Sequence, residues 1–321
     1  MRRTLVTGVT GQDGTILARR LVAEGHEVHG LVLDADAAEA WATAHELEAV
    51  TRHTVDLADP DAVCRVIADV APAELYHLGG QSSVAASWAD PLGTLAVTGL
   101  GAAAVFEGAH RLTEAGHPVR VVQASSAEIF GRAEQSPQDE TTAIRPVSPY
   151  GAAKATAHHL AHVYRERGTF IACAILYNHE STLRPESFVT RKITAGVARI
   201  AHAGGGTLAL GNLDAQRDWG WAPDYVDALV SATRHTEADD FVVATGQTHT
   251  VADFVRVAFA HAGIEDWRSH VTLDERFVRP AEASIQVGDA SKARRVLGWA
   301  PTLTFEQIVG RMVDHDLAII G

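Results

Sequence analysis

Cysteine is nearly absent: Cys64 and Cys173 are the only two in 321 residues, both in apolar settings. Two isolated thiols exclude a disulfide framework and a cysteine-based zinc pattern, and they fit a reducing cytoplasm. No metal is expected. Positive charge is also short. Lys and Arg total 27 against 40 Asp and Glu, a formal net charge of −13. So acidic a chain is not expected to bind nucleic acid, because a phosphate backbone needs a basic face. One bound nucleotide remains open, since a few local arginines can hold it. No apolar run reaches the ~18 residues of a membrane span, so no membrane partner is expected. The first residues enter a strand directly, so no signal peptide is expected. No fixed-period repeat or low-complexity linker interrupts the chain. What is present is the composition of a globular protein, 46% hydrophobic and 21% charged. Its length suits one large α/β unit with a smaller one appended.

The N-terminal strand, residues 4–7, runs into Gly8-Val9-Thr10-Gly11-Gln12-Asp13-Gly14. The first glycine allows a tight turn. The second lets a pyrophosphate approach the backbone, and the third lets the next helix pack close to the strand. That helix, residues 15–24, carries Ile16, Leu17, Leu21 and Val22 at helical spacing and stops at Gly25. A glycine fingerprint alone is an ordinary strand–helix turn. Followed by a second strand at 27–33 and then an acid, it reads as a dinucleotide site with the helix amides facing the pyrophosphate. Asp34 closes that strand, where a carboxylate accepts bonds from the adenosine ribose and repels a 2′-phosphate. This favours NAD over NADP. Asp34 could equally start a turn, and Asp36 competes for the role. Residues 35–50, rich in Ala and Glu, read as helix.

Strands at 52–55 and 74–78 follow. The first delivers Asp56 and Leu57; the second delivers Leu78, Gly79, Gly80, Gln81 and Ser82, small residues beyond a strand end that leave room for a ligand. Asp59 is a plausible cap for a helix reaching Asp69. A long helix at 91–114 leads to a fifth strand at 120–123, which brings Ser125, Ser126 and Glu128 to the same edge. Downstream, Ser148-Pro149-Tyr150-Gly151-Ala152-Ala153-Lys154 places Tyr150 and Lys154 one helical turn apart. An ammonium beside a phenol favours the phenolate and lowers the tyrosine pKa, giving a base for a sugar hydroxyl. Taken singly, the pair is an exposed helix face, the serines are turn caps and Glu128 is a solvated charge. Their sequence in one chain, after a dinucleotide turn, is what points to chemistry.

These blocks resemble the extended short-chain dehydrogenase/reductase family, and most closely the GDP-mannose 4,6-dehydratases. Further blocks extend the likeness: Leu176-Tyr177-Asn178-His179-Glu180-Ser181, Phe188-Val189-Thr190-Arg191-Lys192-Ile193, Gly211-Asn212-Leu213-Asp214-Ala215-Gln216-Arg217-Asp218-Trp219-Gly220 and Arg279-Pro280-Ala281-Glu282. The resemblance implies a doubly wound, mostly parallel Rossmann sheet in α/β style with a smaller C-terminal α/β substrate domain. Residues 1–175 would bind NAD, with 212–245 returning to that domain. Residues 176–211 and 246–321 would hold the sugar nucleotide. It implies that Tyr150, helped by Lys154 and Ser126, deprotonates the C4 hydroxyl. Glu128 then removes the C5 proton and returns one to the leaving C6 hydroxyl. NAD would be held by Gly8, Gly11, Gln12, Asp13, Gly14, Asp34, Asp56, Leu57, Leu78, Gly79, Gln81, Tyr150, Lys154 and Tyr177. The substrate would be held by Ser82, Ser126, Glu128, Asn178, Val189, Lys192, Arg217, Arg279 and Glu282, with GDP-hexose favoured. A homodimer is implied, its face supplied by the helix at 91–114 and the one after Tyr150, with a tetramer possible.

The chain also departs from that subgroup. Leu33-Asp34 stands where the relatives carry paired arginines and use NADP. Thr182-Leu183-Arg184-Pro185-Glu186-Ser187 replaces a loop with paired arginines and a glycine, which puts the tetramer and the base specificity in doubt. Ser126 replaces a threonine and keeps its hydroxyl; Ser83 replaces a histidine near the sugar. Two alternatives stay open. One is a 4-epimerase or 4-keto-6-deoxy-sugar reductase, which Glu128 argues against. The other is a non-catalytic nucleotide sensor, which would need no acid/base pair.

Overall fold

The structure, a computed structural model, describes residues 2–277 and 285–320. Strand β1 (Arg3–Thr7) leads into α1 (Gln12–Ala23). The alternation continues through β2 (Glu27–Val32), α2 (Ala35–His45), β3 (Thr51–Thr54), α3 (Pro60–Val70) and β4 (Glu74–His77). A short helix, α4 (Val84–Ala89), precedes a long helical stretch: α5 (Pro91–Thr94), a wider π-type turn (Leu95–Leu100) and α6 (Gly101–Glu114). Next come β5 (Arg120–Ser126), α7 (Pro149–Glu166), β6 (Phe170–Leu176), β7 (Asn178–Glu180), α8 (Val189–Ala203), β8 (Leu208–Leu210), β9 (Gln216–Arg217) and β10 (Trp219–Trp221). The chain ends with α9 (Ala222–Arg234), β11 (Asp240–Val243), β12 (His249–Thr250), α10 (Val251–His261), β13 (Val271–Leu273), α11 (Ser291–Leu297) and α12 (Phe305–Ile320).

Seven of these strands form one parallel sheet in the order β11-β6-β5-β4-β1-β2-β3. From β1 the chain winds one way to β3; from β4 it winds the other way to β6. The direction reverses between β1 and β4, so a crevice opens beyond their C-terminal ends. Strand side chains alternate between two cores. Val6, Tyr76, Val122 and Ala172 meet Leu17, Trp41 and Leu229 from α1, α2 and α9. Leu5, Leu75, Val121 and Ile171 meet Ile67, Phe106 and Ala161 from α3, α6 and α7. Each large apolar side chain so enclosed contributes about 1.5–3 kcal/mol.

Two expectations shift here. Helix α2 stops at His45 rather than near residue 50, because Glu46 turns left-handed (φ 57°) and its N–H closes on Ala42 and Thr43. The stretch Pro91–Glu114 is, contrary to the reading of run lengths, long and apolar enough to cross a membrane by length and composition. In this fold its α6 part packs inward, with Ala102, Val105, Phe106 and Ala109 enclosed in the sheet's core.

A further core gathers Ile193 and Val197 of α8, Leu208, Trp219, Phe254 and Phe259 of α10, and Met312 of α12. Strand β11 rejoins the main sheet beside β6. Short strand pairs set Asn178 opposite Trp219 and Arg217 opposite His249.

Candidate active site

The glycine turn lies at the sheet's reversal point. Gly8 has φ +67°, and a Cβ there would sit 2.9 Å from the Gly79 backbone. A Cβ on Gly14 would sit 2.2 Å from the Gly8 carbonyl oxygen. A Cβ on Gly11 would meet only that oxygen, at 3.3 Å, so the outer face of the turn is bare backbone at the start of α1. This is the cradle a pyrophosphate needs. The Gly79 N–H donates to Thr7 Oγ1 (2.9 Å), and the Thr7 hydroxyl is left to donate to His77 Nδ1 (2.7 Å). Burial first, then the charge of Lys154, pushes His77 down to about 3, so it accepts as a neutral ring. The Asp34 carboxylate caps α2, accepting from the Ala37 N–H, and stays exposed just beyond β2. Asp56 is exposed and accepts from the Ala58 N–H, while Leu57 packs over Gly79 and Gly101. Leu78 is half-buried, and Gln81 hangs from Thr98 Oγ1 by its backbone N–H.

Gln12 and Asp13 point into the protein, not outward. The Gln12 amide donates to the His179 carbonyl (3.2 Å), and its Oε1 accepts from Ser181 Oγ (2.8 Å). His179 Nε2 lies 2.8 Å from Asp13 Oδ2, and His179 Nδ1 lies 2.7 Å from the Tyr177 carbonyl oxygen. Both neighbours only accept, so both ring nitrogens carry protons and His179 is a cation. Tyr225 stacks on it at 4.5 Å. Burial alone would raise Asp13, but the charge and hydrogen bond of His179, backed by Arg184 and Gln12, hold it at about 2. Burial would lower His179; Asp13 outweighs it and the net direction is up. Arg184 adds a bond to Glu180 (2.9 Å) and one to the His179 carbonyl. Nothing local in the sequence announces this clasp, which joins positions 166 residues apart.

The clasp has a pH signature. Asp13 has a depressed pKa, so its contribution is present above the unfolded value of 3.8 and is lost as pH falls toward about 2. His179 has a raised pKa, so its contribution is complete below 6.5 and is lost as pH rises through its folded value. The stability difference between wild type and His179→Gln should therefore be greatest from about pH 4 to 6.5, at roughly 2 kcal/mol, and should shrink above it. Urea melts at several pH values test this; a difference independent of pH would contradict it.

The acid/base group forms where β5 ends and α7 begins. Ser148 caps α7 by accepting from the Gly151 N–H (3.0 Å), and Pro149 fills its first turn. Tyr150 and Lys154 then share one face. Its backbone N–H ties Tyr150 to Ser87 Oγ (3.2 Å). A Cβ on Gly151 would sit 2.6 Å from the Glu128 carbonyl oxygen, so only a glycine lets α7 lie this close to the end of β5. Ser126 is buried and its Oγ accepts from the Glu128 N–H (3.2 Å).

One expectation reverses. The tyrosine pKa is not lowered. Burial raises Tyr150 to about 12; a Ser126 hydrogen bond opposes this and the Glu128 charge adds to it. Lys154 is committed elsewhere: its Nζ donates to the Ala124 carbonyl (2.8 Å) and stands 5.9 Å over the Tyr150 ring centroid. Burial lowers Lys154 itself to about 8, against the charge of Asp13. The sequence spacing gave proximity, but desolvation outweighs it.

The remaining residues are more dispersed. Ser82, Asn178 and Val189 are exposed. Lys192 Nζ lies 3.3 Å over the Phe277 ring, near the Arg276–Asp274 pair. Arg217 is buried in β9, and its guanidinium donates to the Gln216 carbonyl (2.7 Å). Tyr177 is fully buried with its hydroxyl donating to Gln138 (2.9 Å), so its side chain faces the core rather than the crevice. Arg191 forms no solvated basic patch with Lys192 and Arg217: it pairs with buried Asp316. Arg279 and Glu282 lie outside the described residues.

A family model described as GDP-mannose 4,6 dehydratase matches residues 5–312. The chain is 42% identical to GDP-mannose 4,6 dehydratase 2 of Arabidopsis thaliana, over 98% of this chain and 87% of that one. It is 37% identical to GDP-mannose 4,6 dehydratase of Homo sapiens, over 98% and 91%. Among solved structures, the UDP-glucose 4-epimerase of Thermus thermophilus in complex with NAD superposes with a TM-score of 0.83, at 26% identity over 98% of each chain. A glycine turn at the reversal point, a Ser–Tyr–Lys group beside it and a family match across almost the entire length agree: this chain belongs to the GDP-mannose 4,6-dehydratase family.

Proposed function

We propose that the chain is an NAD-dependent sugar-nucleotide 4,6-dehydratase acting on GDP-mannose. The observation that carries this is the grouping of Ser126, Glu128, Tyr150 and Lys154 at one sheet edge beside a dinucleotide turn. Two proton transfers at different carbons need two different groups, and this edge offers a phenol and a carboxylate. NAD, when bound, supplies the hydride acceptor and a positive charge. Tyr150 takes the C4 hydroxyl proton, with the Ser126 hydroxyl holding the reacting oxygen. The C4 ketone that results acidifies the C5 hydrogen. Glu128 removes that proton and delivers one to the departing C6 hydroxyl; the hydride taken from C4 would return to C6 and a proton to C5, so the net change is loss of one water and no oxidant is consumed. Tyr150 needs its pKa brought down from about 12 for this step, and Lys154 contributes by holding positive charge and the Ala124 carbonyl in place. Gly8, Gly11 and Gly14 would hold the pyrophosphate, and Asp34 the adenosine ribose. A carboxylate there repels a 2′-phosphate, so a binding titration should find NAD tighter than NADP; the reverse order would overturn the Asp34 assignment.

The substrate's diphosphate would meet Arg217 and Lys192, suited to phosphate by charge and donor geometry. Incubation with GDP-mannose should yield a product lighter by one water. A product of equal mass would establish an epimerase, and turnover of UDP-sugars alone would overturn the GDP reading. The assembly is proposed as a homodimer, in the cytoplasm that its two unbridged thiols fit. Leu92, Leu95 and Leu100 of the long helical stretch and Val163 of α7 leave apolar side chains exposed, which marks a contact face. Light scattering that reads a monomer would refute this.

A further inference from the structure

Seventeen histidines stand in this chain, and two of them face the same carboxylate oxygen away from the acid/base group. On α7, His158 and His162 are one turn apart and lean toward Asp240, the first residue of β11. His162 Nε2 lies 2.8 Å from Asp240 Oδ2, and His158 Nε2 lies 3.6 Å from the same oxygen. The three donor atoms all fall within 4.8 Å of one another. We propose that His158, His162 and Asp240 form a site for a divalent transition-metal ion of the zinc type.

The chemistry of the donors fits. Two imidazoles and a carboxylate are a zinc-type ligand set, with a water in the fourth position. Zinc bonds of about 2.0–2.2 Å in tetrahedral geometry place ligand atoms roughly 3.3–3.6 Å apart, which the observed separations bracket. His158 is buried and presents Nε2 toward the shared carboxylate oxygen. The surrounding contacts orient the donors. His158 Nδ1 faces Ser125 Oγ at 3.3 Å, and with Nδ1 donating there, Nε2 turns its lone pair to the shared oxygen. Arg165 donates to the other oxygen, Oδ1 (2.6 Å), and to the Ile171 carbonyl (2.9 Å), so Oδ2 is left for the ion. His162 is half-exposed, which gives the ion its path in. The nearby guanidinium charge works against a cation, so affinity in the micromolar range is expected rather than that of a closed cysteine site.

The position gives such a site a role. An occupied site would brace α7, which carries Tyr150 and Lys154, against β11, and would fix the ring that touches Ser125, the neighbour of Ser126. The effect should appear in stability and not in the chemical step. The test uses the full chain, stripped with chelator and then titrated with Zn²⁺ against a chromophoric competitor, and separately with Co²⁺. The expected result is one equivalent bound, visible Co²⁺ bands of a four-coordinate site, and a rise in melting temperature. His162→Ala, at a half-exposed position outside the acid/base group, should keep basal turnover and lose at least tenfold in affinity along with the bands. An absence of stoichiometric binding in the wild type would overturn the proposal. So would equal binding in the variant, because the ion would then sit on other histidines. The Co²⁺ spectrum of the wild type stands even if the variant folds poorly.

Discussion

Replacing Tyr150 by phenylalanine should lower kcat by about 10²–10⁴-fold while leaving dinucleotide affinity and melting temperature near wild-type values. The phenol has little structural work to do. The residue's fixed contact is its backbone N–H on Ser87 Oγ, which phenylalanine keeps. The ring volume is preserved, so no cavity opens. The hydroxyl interacts with Ser126 and feels the charge of Glu128. Its removal takes away the group proposed to accept the C4 proton, and Lys154 cannot replace it because its Nζ is held on the Ala124 carbonyl. Steady-state rates on GDP-mannose with a parallel NAD titration make the measurement. A variant with more than about a tenth of wild-type kcat would remove Tyr150 from the mechanism.

Changing Glu128 to glutamine should stop the reaction one step later. The amide keeps the shape of the side chain and loses the base. The rate of water loss should fall by about 10²–10⁴-fold, with oxidation at C4 still occurring. In deuterated water the wild type should place deuterium at C5 of the product, whereas recovered substrate from the variant should carry none there. Full dehydration by Glu128→Gln would sink the elimination scheme. The enzyme would still be a dehydratase, with its C5 base elsewhere.

Much of this was legible in the sequence where information is local. The turn from Gly8 to Gly14 shows itself because close backbone approach demands glycine at fixed offsets. Tyr150 and Lys154 show themselves because four residues make about one helical turn behind the Ser148 cap. What could not be read is set by distance and by burial. The partner of Asp13 is His179, and the partner of Arg191 is Asp316, each more than a hundred residues away. Nothing local to Arg191 shows that its guanidinium is committed to a buried carboxylate. The state of Tyr150 was misjudged for the second reason: a pattern of residue types says which charges are near, but desolvation depends on everything packed around them. Tyr177 follows the same logic, since strand alternation alone left open which face its ring would take.

The clasp between the glycine turn and residues 178–181 bears on exchange. Dehydration returns its hydride within each cycle, so no step requires the dinucleotide to depart. The turn proposed to hold the pyrophosphate is fastened from beneath by Gln12 on Ser181 and Asp13 on His179. Opening that turn means parting a buried ion pair and its hydrogen bonds together. Release should be slow against turnover, and the coenzyme becomes a resident part. The rate in the cell would then follow the supply of sugar nucleotide and be indifferent to the free NAD pool.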